Sequence, residues 1–353
     1  MNTEPKPQTF EEFAKWRVRD RRTRLAAAIG AALLAIAGGI YFFAFSAPRF
    51  SAEKESFVVP LSFGAARTGD SLEAQGFVRH AWAFDAVLAL RGLRENIKPG
   101  DYTLSKSMDV WQIASILAGA PESVWVVIPE GYRKEQTAEV LAEKLGWTGA
   151  QKSEWLTRDT LRNWTLPGAP VDKNYAEGVY FPETYLIPLG EAPTTTARRM
   201  QTEFASKYAD YSNEAYAQNI KWTTVVKLAS IIQREAAGPG DMPLISGILW
   251  NRLLSGMPLD IDATVQYARD TEASGWWAPL KAGAIKSTNS PYNTYLHVGL
   301  PPGAICSPGI DAMKAVLYPQ KTDCLYYLHD ASRQIHCSAT YAGQQANIQE
   351  YLK

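Results

Sequence analysis

The 353-residue chain has few cysteines and no excess charge of either sign. It contains 36 basic and 36 acidic residues, a formal net charge of zero and a pI of about 6.9. No excess of basic residues is available to neutralise a phosphate backbone, so we expect no nucleic-acid partner. The three cysteines form no CxxC pair, so we expect no metal, and no cofactor motif is present. With 46% hydrophobic residues, the composition instead predicts two or three folded domains.

Long apolar runs are absent with one exception. Residues 25–45 form an uncharged apolar run of 21 residues, enough to cross a bilayer as a helix. Residues 1–24 hold seven Lys or Arg and four Asp or Glu, a net of +3, so the positive-inside rule predicts a cytoplasmic N-terminus. A cleaved signal peptide is the alternative, but Ser46-Ala47-Pro48 is a poor cleavage site. We expect an uncleaved anchor with the remaining chain outside.

All three cysteines follow the apolar run and would therefore lie in an oxidising compartment. A hairpin turning at Asp330-Ala331 would place Cys324 and Cys337 opposite each other, within reach of a bridge. Two ordinary buried thiols are the alternative. Cys306 would stay free.

Short strands and helices alternate along the rest of the chain, which predicts an α+β fold. Strands are indicated at 57–60, at 102–104 and from Val124, and helices at 83–93, 107–117 and 310–317 and from Gln344.

Residues 223–257 predict two helices joined by a Gly-Pro-Gly corner, and the first carries the main catalytic candidate. Val225, Leu228 and Ile232 form part of a buried stripe, and Glu235 lies on that stripe in the expected last turn. Burial and the negative end of the helix dipole both disfavour the ionised carboxylate, so Glu235 should keep its proton to higher pH, as a general acid requires. The alternative is an ordinary solvated or Arg-paired glutamate.

Three other stretches carry candidate contacts. Residues 177–188 are rich in aromatics and prolines and predict an extended surface segment, either a sugar-stacking groove wall or an edge strand packing its aromatics into a core. Asp260 and Asp262 would share a face if their segment is extended, as caps or substrate contacts rather than metal ligands. Residues 290–309 predict a stiff loop between two Pro-Gly corners.

Six motifs occur in an order that resembles the YceG-like family of endolytic murein transglycosylases. The resemblance runs from about Ser56 to the end of the chain. The motifs are V-x-I-P-E-G from Val126, E-G-x-x-F-P-x-T-Y from Glu177, L-A-S-I-I-x-R-E from Leu228, N-R-L-x-x-G-M-P-L from Asn251, S-P-Y-N-T-Y from Ser290 and G-L-P-P-G-x-I from Gly299.

The resemblance implies one membrane helix, a small LysM-like α/β module and a mixed α+β catalytic domain. The expected boundaries are a cytoplasmic tail at 1–24, the anchor at 25–45, the module at 55–120 and the catalytic domain at 121–353. Such proteins cleave peptidoglycan glycan strands near the plasma membrane, so the expected location is single-pass in that membrane with the catalytic domain outside. Glycan strands are the expected partner, with peptidoglycan synthases as further candidates.

The family's catalytic glutamate matches Glu235, and the acid that many members carry two positions earlier is Gln233 here. The family's L-Q-x-D-P-T-V motif is altered at Asp260 and Ala263. With a single acid, the resemblance implies a lytic reaction in which the substrate's own C6 hydroxyl attacks C1 and leaves a 1,6-anhydroMurNAc end. Candidate sugar-positioning residues are Glu177, Tyr180, Asn251, Asp262, Thr264, Tyr292, Asn293 and Tyr295.

Two other functions remain open from the sequence. A hydrolytic muramidase would need a second carboxylate, which Asp260 or Asp262 could provide. A non-catalytic cell-wall-binding anchor would bind glycan through the LysM-like module and the aromatic segment.

Overall fold

The computed structural model describes residues 9–157, 177–281 and 283–352, and the chain folds as two units that divide between Val124 and Trp125. Residues 1–8 of the expected tail and 158–176 of the expected catalytic domain lie outside the described residues. The mixture of helices and strands confirms the α+β class.

The first unit begins with one long helix, α1 (Phe10–Phe45). Its segment Arg21–Phe45 is long and apolar enough to cross a membrane, judged by length and composition. The basic residues expected to precede the apolar run are partly within this same helix. The other elements of this unit are β1 (Lys54–Val59), α2 (Ala65–Ala74), α3 (Ala81–Arg91), β2 (Gly100–Ser105) and α4 (Val110–Leu117), with β3 (Ser123–Val127) starting at its end.

β1 and β2 pair antiparallel, from Lys54 opposite Ser105 to Val59 opposite Gly100. The helices cover this pair through a core that includes Phe57, Phe77 and Phe84. Gly100 is required where β2 begins: its φ is 155°, and a Cβ there would lie 2.5 Å from the Ser123 carbonyl oxygen. The absence of a side chain lets the start of β3 approach β2.

The second unit is mainly helical. Its elements after β3 are α5 (Lys134–Leu145), α6 (Gly149–Leu156), β4 (Thr184–Pro188), α7 (Pro193–Ala217), α8 (Trp222–Glu235), α9 (Met242–Leu254), α10 (Asp262–Arg269), α11 (Ala284–Ser287), α12 (Ile310–Leu317), β5 (Tyr326–His329), β6 (Ile335–Ser338) and α13 (Tyr341–Tyr351). α8 and α9 pack on each other and on α12. The two central helices predicted from residues 223–257 are thus present, and no helix or strand lies between α11 and α12, as expected for the stiff loop.

The aromatic segment from Glu177 is not a surface segment. Tyr180, Phe181 and Tyr185 are buried in the second unit, and the Tyr180 ring centroid lies 4.3 Å from that of Trp155. Tyr185 Oη donates a hydrogen bond to the Phe181 carbonyl at 2.7 Å, which satisfies its hydroxyl inside the protein. The prediction of a surface groove wall is therefore wrong, and the alternative, aromatics packed into a core beside a short strand, describes this segment.

β5 and β6 form the expected hairpin, and a disulfide joins Cys324 and Cys337 with their Cα atoms 5.9 Å apart. Cys306 is buried and free. The bridge is confirmed, but the predicted register is wrong, because Cys337 lies opposite Tyr327 and Cys324 precedes β5. The turn is wider than the predicted two-residue one: Asp330 Oδ1 accepts hydrogen bonds from the backbone of Ser332 and Gln334, which holds a longer loop.

Candidate active site around Glu235

Glu235 is the last residue of α8, at the end of a buried face. Val225, Leu228 and Ile232 are fully buried, which confirms the apolar stripe read from the sequence. The helix ends three residues before the glycine-proline corner expected to stop it, because Ala236 turns to extended backbone (φ −70°, ψ 139°). The Glu235 side chain is therefore held at the C-terminal end of a helix whose own position is fixed by the core.

A hydrogen bond from the hairpin meets the Glu235 carboxyl group. Tyr327 Oη, on β5, donates to Glu235 Oε2 at 2.7 Å. The neighbouring Arg234 turns away and stacks its guanidinium 4.1 Å from the centroid of the Trp277 ring. The described contacts thus favour a phenol-held carboxyl group over the alternative of an exposed or Arg-paired glutamate.

The surroundings of Glu235 raise its pKa. Desolvation by burial is the largest cause; the hydrogen bond from Tyr327 opposes it, the negative charge of Asp262 adds to it, and the nearby His329 and Arg234 lower the pKa again. Burial also raises the pKa of Tyr327 well above its usual value, so this hydroxyl stays protonated and can only act as the donor towards an ionised Glu235. The site therefore favours a protonated carboxyl group that can still be stabilised after it gives up its proton.

Asp262 lies near this carboxyl group, at the first turn of α10. Its side chain is exposed, and Tyr295 Oη donates to its Oδ1 at 2.7 Å. Desolvation and the bond to Asp262 raise the pKa of Tyr295. An exposed acid and a half-buried phenol thus lie as a pair next to the partly buried Glu235, and both belong to the candidate set from the sequence.

Asp260 does not share a face with Asp262. The expectation of an extended segment is wrong, since α10 starts at Asp262 and Asp260 takes a left-handed backbone conformation with φ 55°. Its carboxylate forms an ion pair with the buried Arg252 of α9. Arg252 also donates to the carbonyl oxygens of Pro258 and Leu325, at 2.9 and 3.0 Å. Asp260 is therefore used to hold the loop before α10 against the start of the hairpin.

Asn251 has a similar bracing position. Its Nδ2 donates to the carbonyl oxygens of Thr322 and Cys324, at 2.8 and 3.1 Å. These two carbonyls lie just before β5, so Asn251 helps to fix the strand that carries Tyr327. The sugar contact expected of Asn251 stays an untested prediction; its described contacts are with the backbone of the protein.

Thr264 and Asn293 are buried and engaged with protein atoms. The hydroxyls of Thr264 and Thr294 lie 2.9 Å apart, and Asn293 Nδ2 donates to the carbonyls of Ile285 and Thr288. These bonds hold the loop that carries Tyr295 against α10. The roles expected for the two residues in sugar binding remain untested, and their described contacts position the loop.

Glu177 belongs to a second, buried cluster. It is 4% exposed; its Oε1 accepts from the Lys134 backbone at 3.0 Å and its Oε2 from Tyr267 Oη at 3.2 Å. Desolvation, followed by the charge of Glu135, raises the pKa of Glu177 to about 8. Gly178 has φ 87°, and a Cβ there would lie 2.6 Å from the Ala304 Cβ, so close packing fixes the backbone beside this acid.

Aromatic rings and an arginine surround that cluster. The Arg133 guanidinium lies 4.1 Å from the Tyr267 ring centroid and 4.7 Å from that of Trp276. The ring of Tyr292, another candidate from the sequence, packs against Tyr267 with the centroids 4.9 Å apart and the planes tilted by 45°. Glu177 and the fully buried Tyr180 thus lie inside the protein, whereas Tyr292 is only partly buried. Their expected contacts with sugars stay untested.

Sequence reasoning missed Tyr327, and it also missed the pair formed by His329 and Asp241, whose Nε2 and Oδ2 atoms are 3.1 Å apart. A signal was present: residues two apart in a strand face the same side, so Tyr327 and His329 share one face of the predicted hairpin. The sequence does not show that this face of the hairpin contacts Glu235 and Asp241. Among the residues that the structure describes, no group of three His, Cys, Asp or Glu side chains is arranged to hold a metal ion.

Fold and site together describe an α+β protein with a long apolar helix and one acid held at the end of a buried helix. The model of the YceG-like family matches residues 57–350, and the chain belongs to that family.

Named relatives agree with this assignment. The chain is 25% identical over 318 residues to an endolytic murein transglycosylase of Streptococcus pneumoniae serotype 2, covering 83% of this chain and 58% of the relative. It is 26% identical over 309 residues to an endolytic murein transglycosylase of Bacillus subtilis, covering 83% and 84%. A crystal structure of a yceG-like protein from Listeria monocytogenes aligns with a TM-score of 0.56 and 26% identity, covering 84% of this chain and 99% of the other. The match thus spans little more than half of the pneumococcal relative.

Proposed function

We propose that this protein is a membrane-anchored endolytic lytic transglycosylase that cleaves the MurNAc–GlcNAc bond of peptidoglycan, with Glu235 as its general acid and base. The observation that carries the proposal is the setting of Glu235: its carboxyl group has a pKa raised by burial, accepts a hydrogen bond from Tyr327 and lies next to the exposed Asp262 with its partner Tyr295. The names of the pneumococcal and Bacillus relatives support the same activity.

The proposed reaction uses one carboxyl group twice. Protonated Glu235 gives its proton to the glycosidic oxygen, and the bond from MurNAc C1 to that oxygen breaks. The C6 hydroxyl of the same MurNAc attacks C1, the C1–O6 bond forms, and the hydroxyl proton passes to the Glu235 carboxylate. The products are a free GlcNAc hydroxyl and a 1,6-anhydroMurNAc end, and Glu235 is again protonated.

Tyr327 stabilises the form of Glu235 that exists between the two proton transfers. Its hydroxyl stabilises the carboxylate after the first proton transfer, which moderates the effect of burial. The Asp262–Tyr295 pair is the described polar group best placed to orient a sugar, since Asp262 is exposed and its partner hydroxyl is protonated. Thr264, Asn293 and Asn251 act indirectly, through the backbone segments that they hold in place. Glu177, Tyr180 and Tyr292 act through the packing of the protein interior.

The arrangement gives little support to a hydrolytic muramidase. Such an enzyme needs a second carboxylate as nucleophile or base. Asp260 is paired with Arg252, and Asp262 accepts a hydrogen bond from Tyr295. The released ends decide: mass spectrometry of the products formed from isolated peptidoglycan should find anhydro ends. Reducing ends would indicate hydrolysis, and no products at all would indicate a non-catalytic wall-binding protein.

The membrane assignment is part of the proposal. Residues 25–45 anchor the protein as a single pass in the plasma membrane, residues 1–24 face the cytoplasm, residues 55–120 form a LysM-like module and residues 121–353 the catalytic domain, with glycan strands and peptidoglycan synthases as partners. The basic residues before the apolar run favour this orientation. A reporter that fluoresces only in the cytoplasm, fused after Lys353, should give no signal. A fluorescent fusion would contradict the proposed topology.

A further inference from the structure

The end of α1 is part of the first folded unit rather than a free tether. Ala44 is buried in the core of this unit, and the Phe45 ring lies 5.7 Å from Trp82 and 6.4 Å from Trp111, between ring centroids. Four residues after the helix, the Arg49 backbone N–H donates to the Lys106 carbonyl at 3.0 Å. The apolar helix is therefore connected to the rest of this unit by packed, hydrogen-bonded residues and not by a flexible linker.

A cavity of about 420 Å³ opens at this junction. Its volume lies in the range of about 300–1,000 Å³ that is usual for small-molecule sites. One side is formed by the last turns of α1, and the other by the residues before and at the start of α4. The residues of this lining that matter for binding are Tyr41, Phe42, Phe45, Arg49, Arg79 and Asp109.

The cavity combines aromatic walls with two guanidinium groups. Arg79 Nη2 donates to the carbonyls of Ala47 and Pro48 at 3.1 and 3.4 Å, while its buried Nε has no hydrogen-bond partner among the described residues. Arg49 is exposed at the rim. The acid in the lining, Asp109, caps α4 through the Gln112 backbone N–H at 2.8 Å. The Arg79 guanidinium thus lines the cavity and Arg49 lies at its rim, two cations against the one carboxylate of Asp109.

The height of the cavity in a bilayer follows from the length of the helix. This step rests on the proposed membrane anchor. An α-helix rises about 1.5 Å per residue, so Leu25 and Phe45 are separated by about 30 Å, the thickness of the hydrocarbon core. With Leu25 at the inner boundary, Phe45 lies at the outer one, where aromatic rings concentrate and lipid phosphates begin. The fully exposed Phe50 lies beside the same cavity.

We propose that this cavity binds the phosphodiester head group of one phospholipid from the outer leaflet. The Arg49 and Arg79 guanidinium groups contact the phosphate oxygens, because guanidinium donors match phosphate geometry. Tyr41, Phe42 and Phe45 face the glycerol and the first acyl carbons. The bound lipid would hold the first unit against the membrane surface.

Native mass spectrometry of the full chain in detergent, titrated with phosphatidylglycerol, tests the proposal. The wild type should retain one lipid, and the double variant Arg49→Gln/Arg79→Gln should bind it with an apparent Kd at least tenfold higher. Arg67→Gln, an exposed arginine of α2 outside the cavity, is the matched control and should bind as the wild type does. Equal binding by the double variant would overturn the proposal, as would a wild type that binds inorganic phosphate but retains no phosphatidylglycerol.

A second variant covers the structural role of Arg79, whose bonds to Ala47 and Pro48 make its loss a risk for folding. Arg49→Gln alone should raise the apparent Kd severalfold with an unchanged melting temperature; unaltered lipid affinity here would also reject the site. Vesicle flotation and cleavage of solubilised glycan strands separate this proposal from the proposed function. If the double variant loses the lipid while its vesicle flotation and cleavage stay normal, the lipid site is supported and the proposed function is unaffected. A wild type that retains the lipid but cleaves nothing refutes the enzymatic proposal and leaves the cavity intact.

Discussion

Tyr327 on strand β5 donates a 2.7 Å hydrogen bond to Glu235 at the end of helix α8, two residues separated by 92 positions in the sequence. The bond connects a carboxyl group fixed by the helical core with a hairpin held by a disulfide. The protonation behaviour of Glu235 therefore depends on parts of the chain far from its own helix.

Tyr327→Phe should move the pH dependence of strand cleavage. The hydrogen bond lowers the pKa of Glu235, so its loss lets burial raise that pKa further. Because the first step needs protonated Glu235, the alkaline limb of the pH–rate profile should shift to higher pH. The rate at neutral pH should fall about tenfold or more, since the carboxylate formed in that step loses its hydrogen bond from Tyr327. Tyr326→Phe is the matched control, since Tyr326 packs its ring on Tyr341. An unmoved alkaline limb in Tyr327→Phe would contradict the role of this bond.

The disulfide should matter for the stability of the hairpin. Protein made outside the cytoplasm should show one free thiol, Cys306, under denaturing conditions. Replacing Cys324 and Cys337 together with serine opens a loop of 13 residues' separation and should lower the free energy of unfolding by about 2–4 kcal/mol. Cys306→Ala, with the bridge intact, separates the effect of the bridge from that of thiol removal. Three free thiols in the native chain would show that the bridge does not form.

Glu177 should make stability depend on pH. Its pKa is about 8 in the folded protein against a usual value of 4.5, so between these values the folded state binds more protons than the unfolded one. Stability should therefore fall as pH rises from about 4.5 to about 8, by at most about 1.4 kcal/mol per pH unit.

Glu177→Gln should flatten that part of the stability curve, measured by denaturant unfolding at several pH values. The exposed Glu183 offers a control in Glu183→Gln, which should keep the wild-type slope. A Glu177→Gln variant that retains the full pH dependence would mean that this carboxyl group is ionised throughout.

Asp262→Asn should weaken cleavage without abolishing it. The side chain is exposed and accepts from Tyr295, and we assign it to positioning the sugar. We expect a fall of about tenfold, mostly in KM, because a uniform binding contact is lost. Tyr295→Phe should act in the same direction. A loss of several thousandfold in kcat for Asp262→Asn would instead make it a second catalytic carboxylate.

The sequence predicted Glu235 because its evidence is local. Helical periodicity puts it on the stripe of Val225, Leu228 and Ile232, and the structure has that stripe buried. The aromatic segment was ambiguous, since the same composition suits a sugar-binding surface and a core, and Tyr180 turned out to be buried.

The contacts that surround the acid could not be predicted in the same way. The bond from Tyr327 depends on hairpin register, and the register was misjudged because the Asp330 side chain holds a wider turn than a two-residue one. The pairing of Asp260 with Arg252 depends on a left-handed residue in a loop. Both depend on loop conformation, set by the hydrogen bonds of Asp330 in one case and by the left-handed Asp260 in the other, which sequence periodicity does not report.

The most direct measurement is the yield of 1,6-anhydroMurNAc ends, by mass spectrometry, from peptidoglycan treated with the Glu235→Gln variant. The amide keeps the shape of the side chain and can still contact Tyr327, but it is far too weak an acid to protonate the glycosidic oxygen. The yield should fall by at least ~10²–10⁴-fold while the melting temperature is kept. Glu130→Gln, at a glutamate whose pKa is also raised by desolvation, should remain near the wild type. Near-full formation of anhydro ends by Glu235→Gln, with their loss in Asp262→Asn, would contradict the account and move the catalytic centre to the start of α10.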